Sequence, residues 1–382
     1  MKIAFITHTT TFGGAGLSSS KTIQFLLDKG LLQPEECLLI QPRVRDPSNE
    51  KNDLYFNLKK TIKFYEFKLP FSPVFKGVTS NYLIKLSYTY KEFIAIFSYL
   101  VYYNKILKQE KITIVHLNSL VLWPLLLVLP KSIKTVIHIR EVPNNSIEAR
   151  IAIFVITHYA TKIISIDPIS DISFSNSGKS VVISNPYNMT ISRELRPLKN
   201  SIKSELGIPP ESFVVSIFGL IGEQKGFDFF IKIINSSTQI KNLVFVIVGK
   251  PAGKYGEECI QLLKNYPNVK YLGEQNDTSK FYAITDVVIR CEDYLPLGRT
   301  VWEGIFAGGL ALVPVNKNDD ISVIQEYLGK YIFTYQALNI NSCVDTLTEI
   351  IKKYPGTVID SGYPFSDNIA TSAEQFFREI SS

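Results

Sequence analysis

Val214-Val215-Ser216-Ile217-Phe218, then Gly219-Leu220-Ile221-Gly222-Glu223-Gln224-Lys225-Gly226, then an apolar-periodic run from Phe227 to Ile234, read as buried strand, Gly-bounded loop and helix. A short, continuous apolar run suits a strand covered on both faces, as in a parallel sheet. The same order opens the chain. There Ile3-Ala4-Phe5-Ile6 is followed by the turn Phe12-Gly13-Gly14-Ala15-Gly16 and an amphipathic stretch from Leu17 to Leu27. Further apolar runs stand at 37–40, 112–115, 136–139, 163–166 and 181–183, and again at 244–248, 269–272, 287–289 and 310–313. Helical patterns separate many of them. Two successive βα series predict an α/β protein of two Rossmann-like domains, with ligand crevices at the carboxyl ends of the parallel strands. The alternation pauses in a polar connector from Asn185-Pro186 to about Pro210, which sets the domains at 1–185 and 186–382. The last helical stretch, Ser372 to Ile380, could pack back on the first domain.

Length and composition fit this reading. The 382 residues exceed one ordinary core and suit two domains. With 46% hydrophobic and 20% charged residues, the composition is that of a folded globular chain. Cys37, Cys259, Cys291 and Cys343 form no C-x-x-C pair, which argues against a disulfide framework or a zinc site. The start of the chain lacks a signal-peptide pattern. The most apolar stretch, Leu117 to Pro130, is shorter than the roughly 20 residues of a membrane span. A cytoplasmic protein is therefore expected. Between Lys59 and Lys111, ten lysines stand against three glutamates, so this segment exceeds the net charge of +6 of the whole chain. Thirteen Phe or Tyr residues lie in it. It reads either as an ordinary surface or as one that rests on anionic lipid at the inner face of a membrane. It contains no arginine and no reader module, so nucleic acid is not expected as a partner.

Three strand-to-loop junctions could hold an anion, because glycine-rich backbone and a helix N-terminus favour negative charge. The first, Gly13-Gly14-Ala15-Gly16, does not match G-x-G-x-x-G, and the next strand ends at Gln41 and Arg43 without an acidic ribose partner. A nicotinamide or flavin enzyme fits poorly. The second ends in Lys225-Gly226 without the G-K-[ST] of a P-loop, so an ATPase is not indicated. The third is Leu295-Pro296-Leu297-Gly298-Arg299-Thr300-Val301-Trp302-Glu303-Gly304.

This third segment resembles the E-P-F-G-R-x-x-x-E signature of the family 4 retaining glycosyltransferases. Other marks of that family occur in order: the Gly13-Gly14 loop, His138, Asn185-Pro186, Gly219 with Lys225-Gly226, Val248-Gly249, the run Asn268 to Gly273, and Tyr282-Ala283-Ile284-Thr285-Asp286. The resemblance covers most of 211–315 and scattered points before it. It implies the GT-B architecture, with two parallel sheets facing a central cleft. It implies transfer of a sugar from a nucleoside-diphosphate sugar to an acceptor such as a lipid-linked oligosaccharide of a bacterial surface polysaccharide (O-antigen or capsule). Position by position, it makes Glu303 the acceptor for ribose hydroxyls. Lys225 and Arg299 become the cations on the diphosphate, helped by backbone N–H groups of Gly14 and Gly298, and His138 the contact to the donor sugar. Gly13, Gly219 and Thr300 join the nucleotide-sugar site. The ribose role favours UDP or GDP sugars. The donor is a co-substrate; no cofactor is expected, and no metal, since Asp-x-Asp does not occur.

Two positions depart from the pattern. The first motif glutamate falls on Leu295 and the arginine after the loop glycine on Leu220. Glu292 or Asp293 could replace the former and Arg299 the latter. The losses keep alive a non-catalytic relative that binds a partner glycosyltransferase; a GT-B sugar-nucleotide epimerase lacks placeable catalytic groups.

Overall fold

A computed structural model describes residues 1–10, 14–42, 53–67, 103–295, 297–317, 319, 321–355 and 369–382. The chain forms two compact units, Met1–Pro186 with Asn368–Ser382, and Tyr187–Asp367. The first unit holds seven parallel strands: β1 (Ile3–Ile6), β2 (Cys37–Pro42), β3 (Lys63–Phe67), β4 (Ile114–Leu117), β5 (Lys134–Ile139), β6 (Lys162–Ser165) and β7 (Ser180–Val182). Their order is β3-β2-β1-β4-β5-β6-β7. The second unit has β8 (Phe213–Phe218), β9 (Leu243–Val248), β10 (Val269–Tyr271), β11 (Val287–Ile289), β12 (Leu310–Val315) and β13 (Ile332–Gln336), ordered β10-β9-β8-β11-β12-β13. Both sheets start at a central strand, build outward one way, then cross back and build the other way.

Central strands bury every residue: β1, β4, β8 and β9 are apolar almost throughout and lie between layers of helix. The register is set by these buried faces, with Ile3 opposite both Cys37 and Ile114. Edge strands are different. In β3, Lys63-Phe64-Tyr65-Glu66-Phe67 is at least partly exposed throughout, and β13 mixes buried with exposed positions. No continuous apolar run marks either, and both are absent from the sequence reading. A sheet edge needs only partial cover, and polar side chains there blunt pairing with other chains.

The last helix, Ile369–Ser381, belongs to the first unit. Ala373, Phe376 and Ile380 share one face and enter the core with Ile3, Phe5, Ile23 and Leu26. Burying Phe376 alone contributes about 1.5–3 kcal/mol. Lys134 Nζ donates to the carbonyl of Ile380 at 3.1 Å, closing the helix C-terminus. The apolar stretch after β4 is a 3₁₀ helix, Leu120–Leu127, buried except at the half-buried Trp123 and the exposed Leu127. Among the described residues, no helix is long and apolar enough to cross a membrane.

Of the lysine-rich segment, residues 68–102 lie outside the described residues. Two of its other lysines are neutralised. Lys59 pairs with Asp53 at 2.8 Å and Glu66 at 3.0 Å, and Lys63 with Glu110 at 2.6 Å.

Candidate functional site

In the second sheet the order reverses between β8 and β11, so the loops leaving their carboxyl ends are neighbours although about seventy residues separate them. The β8 loop ends in a 3₁₀ turn, Glu223–Lys225, and Gly226, which starts the helix Phe227–Ser236. The β11 loop runs through Arg290, Cys291, Glu292 and Asp293 to Gly298, the N-cap of the helix Arg299–Phe306. At Gly226 the two loops pack against each other. Its φ is +68°, and an ideal Cβ there would stand 1.8 Å from the Cys291 carbonyl oxygen.

Around this contact lies a three-member charge network. Lys225 Nζ donates to Glu292 Oε1 at 3.3 Å. Glu292 is buried and accepts from Arg290 through both oxygens, with Nε to Oε2 at 3.1 Å and Nη2 to Oε1. Arg290 Nη1 donates to Thr300 Oγ1 at 2.7 Å in the first turn of the next helix. Burial and the Arg290 charge lower the pKa of Lys225, against the opposing pull of Glu292. Burial works against the Glu292 charge, but Arg290 and Lys225 outweigh it and hold the carboxyl below its ordinary value.

One turn further on, Arg299 donates to Glu303 Oε1 from Nη2 at 2.7 Å and from Nε at 3.1 Å. The other oxygen of Glu303 accepts from the Tyr282 hydroxyl at 2.8 Å. The Arg299 guanidinium lies 4.9 Å from the Tyr187 ring centroid, a cation–π contact. Glu303 is thus held in one orientation by two donors, and Arg299 by a carboxylate and an aromatic face. Trp302 packs on Phe306 and Tyr187 and is buried.

Lys225, Gly298, Arg299, Thr300 and Glu303 thus fall on two adjoining loop-to-helix junctions, together with Arg290, which the sequence reading did not single out. The signal was there: an arginine directly after the apolar β11. Leu295 is buried, Leu220 exposed. Asp293 is exposed; its carbonyl accepts from Asn316 Nδ2 at 3.1 Å. The buried carboxylate of this loop is therefore Glu292. Gly219 is exposed at φ +114°. Among the described residues no group of three or more His, Cys, Asp or Glu is placed to hold a metal.

In the first unit, Gly14 is the exposed first residue of the helix Gly14–Asp28, and Gly13 lies outside the described residues. His138 is buried inside this unit, its Nδ1 3.4 Å from His116 Nε2 and 3.4 Å from Arg140 Nη2. Both imidazoles pack on Phe376 of the last helix. With Ser19, Arg140 and Ser372 they line a small recess. Beyond it, at the carboxyl ends of β4 and β5, Arg140 donates to the side-chain oxygens of Asn118 and Asn185, both at 2.6 Å. Glu141 accepts from Ser119 Oγ at 2.7 Å and from the Leu120 N–H at 3.2 Å.

Burial and then the Arg140 charge push His116 down to about 3, and burial, Arg140 and His116 push His138 well below its ordinary 6.5. Both stay neutral in the fold while the unfolded chain protonates at about 6.5. Their contribution to stability is therefore complete above that pH and is lost as pH falls toward 3. Between pH 7 and 5, one such histidine costs about 2 kcal/mol. Trp123 fluorescence in a Trp302→Phe background should show the urea midpoint of the first unit falling over this range. His116→Gln should flatten the dependence; an unchanged slope would overturn the assignment.

Residues 199–355 match the family model described as Glycosyl transferases group 1. No curated protein matches the chain by sequence. Solved structures resemble it along its whole length. Anabaena HepE in complex with UDP and glucose is 17% identical with a TM-score of 0.68, covering 100% of both chains. The lipopolysaccharide outer core galactosyltransferase WaaB, in its apo form, is 16% identical with a TM-score of 0.63, over 100% of this chain and 99% of that one. The UDP-GlcNAc 2-epimerase of Neisseria meningitidis bound to UDP-GlcNAc is 13% identical with a TM-score of 0.59, again over 100% and 99%. At such identities the likeness shows the fold, GT-B with two parallel-sheet α/β domains. The epimerase among them illustrates that this fold hosts more than one reaction; the class of activity rests on the sequence match. The β8 and β11 loops both lie inside the stretch that matches this model, and with the GT-B fold the match makes the chain a glycosyltransferase.

Proposed function

We propose that the chain is a retaining transferase that moves a sugar from a UDP or GDP sugar to a lipid-linked saccharide during synthesis of a bacterial surface polysaccharide. The observation that carries this reading is the placement, at adjoining loop-to-helix junctions, of Lys225 held by Glu292 and of Arg299 paired with an oriented Glu303. Breaking the sugar–phosphate bond puts negative charge on the departing diphosphate. Lys225, Arg299 and the N–H groups at Gly298 supply fixed positive charge where it develops. Glu303, already aimed by Arg299 and Tyr282, accepts the ribose hydroxyls. No protein nucleophile is assigned, and retention follows from attack on the face the diphosphate leaves. A thermal-shift screen against UDP, GDP, ADP, CMP and dTDP sugars, followed by NMR of the product anomer, tests the reading. Stabilisation by none of them, or inversion of the anomer, would overturn it.

Glu303→Gln is expected to weaken the bare nucleotide as well as the nucleotide sugar, by about 10–100-fold, the range for a hydrogen bond to a charged group. Calorimetry with UDP and a UDP sugar checks this; a loss confined to the sugar nucleotide would move Glu303 off the ribose. Tighter binding of dTDP than of UDP and GDP would reverse the preference for a ribonucleotide.

The second reading, a non-catalytic partner of another glycosyltransferase, is favoured by Leu295 and Leu220 at positions where the resembled family carries charge. It predicts nucleotide binding without turnover in the same assays.

The Lys59–Lys111 segment is further proposed to hold the protein to anionic lipid on the cytoplasmic side of the membrane. Engaged lysines contribute about 1 kcal/mol each, screened by salt. Sedimentation with phosphatidylserine vesicles should be strong at low salt and lost at high salt. Absence of binding at low salt would leave an ordinary surface.

A further inference from the structure

We propose that Glu292 and Arg290 are positioning residues for Lys225. In this arrangement a buried carboxylate holds the ammonium, and a buried guanidinium holds the carboxylate and ties it to the first turn of the Arg299–Phe306 helix. The inference rests on the reading of Lys225 as a cation for the donor diphosphate.

Three observations carry it. The first is the gradient of exposure along the network. Side-chain exposure is 7% for Arg290, 1% for Glu292 and 37% for Lys225, so a pair sealed in the loop presents one accessible charge. A pair serving stability alone does not need a third, half-exposed member. The second is that one short segment fixes Lys225 twice. The Cys291 carbonyl packs on Gly226, which follows Lys225 in the chain, and Glu292 holds the ammonium. Backbone and side chain are therefore set by consecutive residues of the β11 loop, and Arg290 links the same loop to Thr300. The third is charge. Where the resembled family places an arginine after the loop glycine and a glutamate in the later loop, this chain has Leu220 and Leu295. Arg290 and Glu292 restore one cation and one anion within the β11 loop. With Lys225, the set keeps a single net positive charge.

Removing the carboxylate while leaving Arg290 in place exposes Lys225 to an uncompensated guanidinium. The ammonium then loses its proton at lower pH, because both its attraction to Glu292 and the screening of Arg290 are gone. Arg290 and Glu292 are the charged groups that act on it.

Trace acetylation with acetic anhydride across a pH series, read by mass spectrometry on the Lys225 peptide, measures this without a donor. Exposed Lys232 and Lys241 of the same unit serve as internal references. In the full-length protein, Glu292→Gln should make Lys225 about tenfold more reactive at a fixed pH, a midpoint about one pH unit lower. Glu292→Asp keeps the charge that Arg290 needs and draws it back from Lys225. It should shift the midpoint the same way by less, and it serves if the Gln variant does not fold. An unmoved Lys225 midpoint in a folded variant overturns the proposal. Protection of wild-type Lys225 by UDP and GDP is read in parallel. A midpoint that shifts while neither nucleotide protects would leave the positioning pair standing and remove the diphosphate role from Lys225.

Discussion

Lys225→Ala and Arg299→Ala are each expected to slow sugar transfer by about 10²–10³-fold, the scale seen when one preorganised donor to a developing negative charge is removed. That corresponds to about 3–4 kcal/mol of barrier. The two losses should differ in kind. Lys225 is half-exposed and makes one long contact to Glu292, so its removal takes charge from the site while leaving a carboxylate that Arg290 still holds. The cost should appear mainly in kcat. Arg299 also orients Glu303 and lies over Tyr187, so Arg299→Ala leaves Glu303, the proposed ribose acceptor, held by Tyr282 alone. Nucleotide affinity should fall together with kcat. Steady-state kinetics with the donor identified by the screen, and calorimetry with the bare nucleotide, separate the two. Folded variants transferring at the wild-type rate would show that neither residue faces the diphosphate.

Gly226→Ala is expected to be among the most damaging single-methyl additions in the second unit. Alanine at φ +68° costs about 1 kcal/mol for the left-handed backbone alone. The added Cβ would also meet the Cys291 carbonyl at 1.8 Å, which is backbone and cannot rotate aside. Either the β8 loop or the β11 loop must move, carrying Lys225 away from Glu292. The expected result is a loss of about 3 kcal/mol or more of stability, on the scale of overpacked sites, with transfer abolished. Gly30→Ala and Gly178→Ala provide the control. Both have nearly the same φ, +66° and +67°, with nothing within 4 Å of the new methyl. They should lose only the backbone cost and keep activity. A Gly226 variant as stable as these two would mean that the loops do not meet as described.

The alternation of buried strand and helix was legible in the sequence because central strands of a parallel sheet must be apolar on both faces. Runs such as Val214–Phe218 and Leu243–Val248 announce themselves without knowledge of their neighbours. The stretch around Gly298, Arg299 and Glu303 was legible for a related reason. It is contiguous in sequence, and its one ion pair, Arg299 with Glu303, spans a single helical turn. Two of the four edge strands, β3 and β13, were not legible. A strand such as Lys63–Phe67, bonded on one side and partly wet, has no hydrophobic run to show, so only pairing with β2 makes it a strand. Nor was the company that Lys225 keeps. Glu292 is 67 residues away, and the two meet because the sheet order puts β11 directly beside β8. Local pattern says which residues are buried and with what period, but strand order depends on long-range packing that no window of sequence contains. For the same reason the tertiary structure, and not the motif, singles out Glu292 over Asp293 as the buried carboxylate of its loop. Adjacent residues there point to opposite environments, and only the packed loop decides which one is sealed against Arg290.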